Sequence, residues 1–358
     1  MSNQLILPAG ARIRVLVVDD SVVIRKLVTQ ALSEDSQIEV VGAAANGKIA
    51  LQRISQINPD VITLDVEMPE MDGLETLRHL RVEFPKLRVI MFSTLTERGA
   101  TTTLEALSLG ASDYIAKAAN VGSLDVSLRR LRDDLIPKIK QFFLAPPVPQ
   151  SRPSAAPVRP GLAAPAKIAR RRVIAIACST GGPNALSAII PDFPADLPAP
   201  IVLVQHMPAL FTRLLAERLE SRSKIKVREA RGGEELAPAM AWVAPGDHHL
   251  VVTRHGTRVV TALNREPPEN SCRPAADVLF RSVADIYGGE VVAVILTGMG
   301  QDGFHGIEIL KSHGAHVIAQ DEPSSVVWGM PGAVVKGGLA DEVAPLEQVS
   351  RRILRQLG

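Results

Sequence analysis

Along this chain, short runs of consecutive apolar, mostly β-branched residues alternate with longer stretches whose apolar positions recur every three or four residues. Arg14–Val18, Val40–Ala44, Val61–Leu64, Val89–Phe92 and Asp113–Ile115 are runs of the first kind, and Val22–Leu32 and Gly73–Glu83 are stretches of the second. Unbroken apolar runs belong to strands buried on both faces, and a 3.6-residue period belongs to helices with one buried face. Five such βα units predict a doubly wound parallel sheet ending near Phe143. The alternation returns later in Val173–Ala177, Ile201–Gln205, Val291–Thr297 and Ala315–Gln320, with helical spacing over Phe211–Ser221 and Gly303–Lys311. Between Val227 and Leu263, W-V-A-P-G and V-V-T-R-H-G-T-R-V-V read as hairpin strands. The second half is therefore expected to be a mostly parallel sheet with an antiparallel addition.

Between these regions the pattern stops. Pro146, Pro147, Pro149, Pro153, Pro157, Pro160 and Pro165 lie among Ala, Ser and Arg, a composition that buries no core and predicts an extended, semi-rigid linker. The expected organisation is two α/β domains, over 12–140 and 171–358, joined by a linker over 141–170. A length of 358 residues agrees with two cores. Aromatic residues are only 3%, so both cores must be built from Val, Ile, Leu and Ala. A net charge of +2 gives no case for nucleic acid, and Arg170–Arg172 reads as a solvated linker end. Cys178 and Cys272 have no neighbours at metal-ligand spacing. No apolar run approaches the ~20 residues of a membrane span, and the N-terminus lacks the layout of a signal peptide. A cytoplasmic protein is expected.

The chemistry sits at predicted strand ends. Asp19 and Asp20 close the first strand and Asp65 the third, and adjacent strands in a doubly wound sheet bring these carboxylates together. Converging carboxylates repel one another unless a cation intervenes, and all-oxygen ligands favour Mg²⁺. Asp65 can then attack a phosphoryl group as a carboxylate nucleophile. Ser93, after the fourth strand, is placed to hydrogen-bond the phosphoryl oxygens, and Lys117, after the fifth, to pair with them. V-L-V-V-D-D-S, L-D-V-E-M-P-E-M-D-G and D-Y-I-A-K resemble a response-regulator receiver domain. That resemblance implies a flavodoxin-like fold, phosphorylation of Asp65 by a histidine kinase, and Mg²⁺ held by Asp20, Asp65 and the main-chain carbonyl of Glu67, with Asp19 in support. Ala118 departs from the pattern, since receivers usually carry proline there.

In the second half, V-I-A-I-A runs into C-S-T-G-G-P-N. A serine at a strand end, followed by glycines and a helix, sits over unpaired N–H groups that favour developing negative charge. His206, in Q-H-M-P, and Asp302, in L-T-G-M-G-Q-D-G, follow two other apolar runs. Three loops at one sheet edge supply nucleophile, base and orienting carboxylate. A rival reading is open: Gly298-Met299-Gly300-Gln301-Asp302-Gly303 satisfies G-x-G-x-x-G, with Asp321 about 20 residues on, as in a dinucleotide fingerprint. Against it, Asp302 puts a negative charge where a pyrophosphate would lie.

C-S-T-G-G-P, V-Q-H-M-P, A-P-G-D-H-H, S-C-R-P-A-A-D-V-L-F, V-I-L-T-G-M-G-Q-D-G and W-G-M-P together resemble the catalytic domain of the chemotaxis protein-glutamate methylesterases, the CheB family. The resemblance implies a Rossmann-like domain and hydrolysis of glutamate γ-methyl esters, with glutamine deamidation, on methyl-accepting chemotaxis receptors. It implies Ser179 as nucleophile, His206 as base, Asp302 as orienting acid, and main-chain N–H groups near Thr180 and Met299 as the oxyanion hole, with no cofactor for hydrolysis. Cys178, where the family has alanine, is expected to be buried and inert. The expected regulation is that the unphosphorylated receiver blocks the Ser179 edge. The alternatives are a phosphorylation-regulated dinucleotide-binding protein and a general serine esterase.

Overall fold

The computed structural model describes residues 10–117, 124–143 and 172–358. Ala118 and the proline-rich stretch lie outside the described residues. The chain divides into two compact units, Met1–Ala145 and Pro146–Gly358. Among the described residues, no helix is long and apolar enough to cross a membrane.

The first unit alternates strictly: β1 (Ile13–Val18), α1 (Val22–Ser33), β2 (Ile38–Ala44), α2 (Gly47–Ile57), β3 (Val61–Asp65), α3 (Gly73–Glu83), β4 (Arg88–Thr94), α4 (Glu97–Ser108), β5 (Asp113–Lys117) and α5 (Leu124–Lys140). The strands pair in parallel in the order β2-β1-β3-β4-β5. Ile62, Leu64 and Ile90 are fully buried, as central parallel strands covered on both faces must be. Ser21, Asn46, Asp72 and Thr96 each accept a backbone N–H with the side chain at a helix start, the usual use of these short polar residues. The unit runs past the expected boundary at 140. Phe142 and Phe143 are buried, and Gln141 donates to Asp113 at 3.1 Å.

The second unit contains β6 (Val173–Cys178), α6 (Gly182–Ile189), β7 (Ile201–Gln205), α7 (Ala209–Glu220), β8 (Lys226–Glu229), β9 (Met240–Val243), β10 (His249–His255), β11 (Arg258–Asn264), α8 (Ala276–Tyr287), β12 (Val291–Ile295), α9 (Phe304–Ser312), β13 (His316–Gln320), α10 (Met330–Lys336), β14 (Glu342–Ala344) and α11 (Leu346–Leu357). Seven strands pair in the order β14-β13-β12-β6-β7-β9-β8, every contact parallel. The antiparallel addition is the separate β10–β11 hairpin. W-V-A-P-G is not part of a hairpin, because Trp242 and Val243 lie in β9 and pair in parallel with both β7 and β8.

Strand order explains where chemistry can occur. The first sheet winds outward in two directions from β1 and β3, and the second from β6 and β12. At such a switch point the flanking loops leave in opposite directions and open a crevice at the carboxyl ends of the strands.

Candidate functional site

In the first unit the crevice holds Asp19 and Asp20 after β1 and Asp65 at the end of β3. Carboxylate oxygens of all three lie within 4.8 Å of one another. Lys117 Nζ, at the end of β5, stands 2.9 Å from Asp19 Oδ2 and 2.7 Å from Asp65 Oδ2. Asp65 Oδ1 accepts the Val66 N–H at 2.8 Å. Burial pushes Asp65 up to about 6, and Lys117 restrains the rise. Asp19 Oδ2 is buried, with the Lys117 ammonium as its partner. Three converging carboxylates, whose charge Lys117 only partly balances, form an all-oxygen donor set that fits a hard divalent cation such as Mg²⁺. A cavity of about 220 Å³ opens beside Asp65, lined by Asp20, Glu67, Thr94, Gly99 and Lys117 among others. Ser93 is placed differently from expectation. It is fully buried, and its Oγ donates to the Thr94 and Gly99 carbonyls, while Thr94 faces the cavity.

In the second unit, register brings the serine and histidine together. Cys178 pairs with Gln205 across β6 and β7, and the His206 N–H donates to the Cys178 carbonyl at 3.3 Å. Ser179 and His206 are therefore next-in-line neighbours on strands roughly 4.8 Å apart. Gln205 Nε2 donates to the Ser179 carbonyl at 3.0 Å and to that of His206 at 3.3 Å. A Cβ at Gly182 would stand 1.9 Å from Gln205 Oε1, so only glycine lets α6 start against this side chain.

Asp302 arrives from the loop after β12. Its Oδ2 is 2.7 Å from His206 Nε2, and it also accepts the N–H groups of Ala276, Asp277 and Gly303 and the Asn270 amide at 2.9 Å. Burial opposes the charged carboxylate, but the bonds from His206, Ala276 and Asn270 outweigh it and hold Asp302 below the ordinary aspartate value. For His206, burial opposes the charged ring, yet the bonds to Asp302 and Cys272 raise it above the ordinary histidine value. With Nε2–H given to Asp302, Nδ1 is the basic nitrogen.

Thr180 is buried, with its carbonyl bonded to Thr297 Oγ1 at 2.9 Å; Met299 is 41% exposed. The loop carrying Met299 presses on the serine, since a Cβ at Gly298 would lie 2.9 Å from Ser179 Cβ. The dinucleotide reading of this loop fails on its contacts. Asp302 fills the turn and takes the Gly303 N–H itself, and Asp321 bonds Ser324.

Residues 15–129 match the response regulator receiver domain family, and residues 174–353 match the CheB methylesterase family. A protein-glutamate methylesterase/protein-glutamine glutaminase of Trichodesmium erythraeum is 49% identical over 351 residues, covering 97% of this chain and 99% of that one. The chain belongs to the CheB family. A second relative of the same description, from a Nocardioides species, is 51% identical over 96% of this chain and 95% of its own length. The CheB methylesterase catalytic domain of Thermotoga maritima, a crystal structure, superposes with a TM-score of 0.51 at 43% identity, covering 51% of this chain and 97% of that one. Membership makes the protein a hydrolase of the methylesterase and glutaminase class that carries a receiver domain.

Three side chains of this CheB member escaped the sequence reading. Gln205 organises the main chain of both Ser179 and His206. Asn270 holds Asp302, and Cys272 Sγ lies 3.6 Å from His206 Nδ1. The S-C-R-P-A-A-D block flagged the region, but nothing local ties a cysteine to a histidine 66 residues away. Cys178 is fully buried, with Sγ 3.1 Å from Gln205 Oε1, and burial raises its thiol far above the usual range. Arg273 braces the loop, donating to the Glu266 carbonyl at 3.0 Å and to Asp247 at 2.6 Å. His249 is buried and bonded to the Ala275 N–H and the Pro267 carbonyl.

Proposed function

We propose that the enzyme hydrolyses glutamate γ-methyl esters, and deamidates glutamines, on chemoreceptors in the cytoplasm, through Ser179, His206 and Asp302, at a rate raised by phosphorylation of Asp65. One observation carries the catalytic part: the 2.7 Å bond between His206 Nε2 and Asp302, made where register sets His206 beside Ser179. Ser179 Oγ attacks the γ-carbonyl while its proton passes to His206 Nδ1. Asp302 holds the ring's tautomer and stabilises the imidazolium. The main-chain N–H groups of Thr180 and Met299 are the oxyanion donors proposed, a role worth several kcal/mol in acyl transfer. Collapse expels methanol, which takes the His206 proton. His206 then draws a proton from water, whose oxygen adds to the acyl carbon; the bond to Ser179 Oγ breaks as His206 returns that proton to it, and glutamate is released. A glutamine side chain follows the same path with ammonia as leaving group.

The regulatory part rests on the receiver crevice. Asp65 attacks the phosphorus of a phosphohistidine on the partner kinase, forming an acyl phosphate as the P–N bond breaks. Asp20, Asp65 and the Glu67 carbonyl, with Asp19 beside them, are the residues that would hold Mg²⁺, which when bound offsets the charge of phosphoryl oxygens. Lys117 pairs with those oxygens. The buried Oγ of Ser93 must leave the Gly99 carbonyl to join it.

The test is methanol release from methylated chemoreceptor, with wild type and Ser179→Ala, each with and without a small-molecule phosphodonor and Mg²⁺. Release from wild type that rises with phosphodonor and falls by at least about 10⁴-fold in Ser179→Ala is expected. Absence of release from wild type under both conditions would overturn the reading.

A further inference from the structure

The nitrogen of His206 that must receive the Ser179 proton already has a partner. Nε2 is committed to Asp302 at 2.7 Å, and Cys272 Sγ lies 3.6 Å from Nδ1, within range of a sulfur hydrogen bond. Cys272 is partly exposed, unlike the sealed Cys178. It is also held in place by a built element. The Glu269 N–H donates to the Cys272 carbonyl at 3.1 Å and the Cys272 N–H returns to Glu269 at 2.8 Å. The two residues between them, Asn270 and Ser271, both have positive φ, at 51° and 61°. This is the type I′ geometry of a two-residue hairpin.

The hairpin is anchored at both ends of its reach. Glu269 receives both guanidinium arms of Arg281 on α8, at 2.7 and 2.5 Å, a bidentate pair that fixes direction as well as distance. Asn270 Nδ2 donates to Asp302 at 2.9 Å and to the buried Asp277 at 2.8 Å. One turn therefore touches both members of the imidazole–carboxylate pair, with Asn270 on the acid and Cys272 on the ring.

We propose that Cys272 is a positioning residue for hydrolysis, its sulfur holding His206 Nδ1 in the resting enzyme and yielding that nitrogen to Ser179 during turnover. The inference rests on His206 being the general base. A proton shared between sulfur and Nδ1 has two placements, S–H···N and S⁻···H–N⁺. Either one fixes ring rotation, and neither leaves Nδ1 free to accept the serine proton. One neutral hydrogen bond is modest, so its exchange for Ser179 is cheap. The titratable groups that act on the ring are Asp302, from the loop before α9, and Cys272 itself, while Asp277 at the start of α8 and the Glu269–Arg281 pair act on Asp302. Cys272 is the one whose bond to Nδ1 raises His206, and its removal should lower the ring's pKa.

Two measurements on the full-length enzyme test this. In the first, kcat/KM for methanol release is followed against pH in wild type, Cys272→Ala and Cys272→Ser. Cys272→Ala is expected to move the acid limb to lower pH and to lower the plateau about fivefold, the scale of one modest hydrogen bond. Cys272→Ser, which keeps a hydrogen-bonding group but no readily ionised one, is expected to restore the plateau and leave the limb at the alanine position. Superimposed profiles for all three would overturn the proposal. So would a plateau loss in Cys272→Ala that Cys272→Ser does not restore, since that marks a packing effect. In the second, ¹⁵N resonances of the His206 ring are titrated in Ser179→Ala with and without Cys272→Ala. A change in Nδ1 titration on loss of the sulfur is expected, and none would sink the proposal. That readout needs no turnover, so it stands apart from whether Ser179 is the nucleophile.

Discussion

Asp65 is 4% exposed at the carboxyl end of β3, and burial raises its pKa to about 6 against the help of Lys117. A carboxyl whose folded pKa lies above its unfolded value of 3.8 binds its proton more tightly when folded. Its contribution therefore becomes less favourable as pH rises from about 4 to about 6, and the full penalty persists above that. Asp65→Asn removes the penalty. It is expected to stabilise the receiver by about 2 kcal/mol at pH 7.5, with the gain shrinking through pH 6 and vanishing below pH 4. Urea midpoints of the receiver transition at pH 7.5 and pH 4 measure this, and an equal gain at both would contradict the burial argument. Adding Mg²⁺ should narrow the gap by stabilising the wild-type folded state. Residues of this kind were legible in the sequence because strand ends announce themselves: Asp19, Asp20, Asp65, Ser179, His206 and Asp302 each follow an apolar run. Cys272 and Asn270 were not, because they belong to a turn whose partners come from distant loops, and rotamers such as that of Ser93 depend on the carbonyls that happen to face them.

At the scale of elements, buried parallel strands were read well, β7 to the residue, because continuous Val/Ile/Leu runs have few other uses, and helix α3 was read to the residue from its three-to-four-residue spacing. The short outer strands β8 and β14 were not, since four or three residues with charged members carry no periodic signal. β14 shows what holds such a strand instead. Glu342 accepts from His316 Nε2 at 2.9 Å, Arg352 at 2.7 Å, Arg355 at 3.2 Å and Gln356 at 3.2 Å, tying β13 and β14 to α11. Burial works against this carboxylate, but Arg352 and His316 hold it below the ordinary glutamate value. A depressed folded pKa gives stability that is complete above about pH 4.5 and lost as pH falls through the folded value. Glu342→Gln is accordingly expected to lower stability by about 1–2 kcal/mol at neutral pH, with the deficit closing in acid. Chemical denaturation monitored by helix signal at pH 7 and pH 3.5 checks this, and a deficit that persists unchanged in acid would mean the lost partners, not the charge, were responsible.

Over the whole molecule, one topological rule is used twice. Each unit winds outward from two adjacent parallel strands, and each gathers its chemistry above that pair: Asp19, Asp20 and Asp65 over β1 and β3, Ser179 and Asp302 over β6 and β12, with His206 on the neighbouring β7. The second unit draws its core from its own elements, with Val204, Leu250, Phe280, Ile295 and Met330 in one buried cluster. Nothing in that cluster or in the Ser179–His206–Asp302 constellation comes from the receiver. A fragment starting at Arg172 should therefore fold alone and retain Ser179-dependent methanol release, while losing all response to phosphodonor. Its rate relative to the intact chain decides how the switch works. If phosphorylation relieves inhibition, the fragment turns over faster than unphosphorylated full-length enzyme and at least as fast as the phosphorylated form. If the phosphorylated receiver instead contributes actively, the fragment is no faster than the unphosphorylated chain, and simple inhibition is ruled out even though the hydrolytic site is intact.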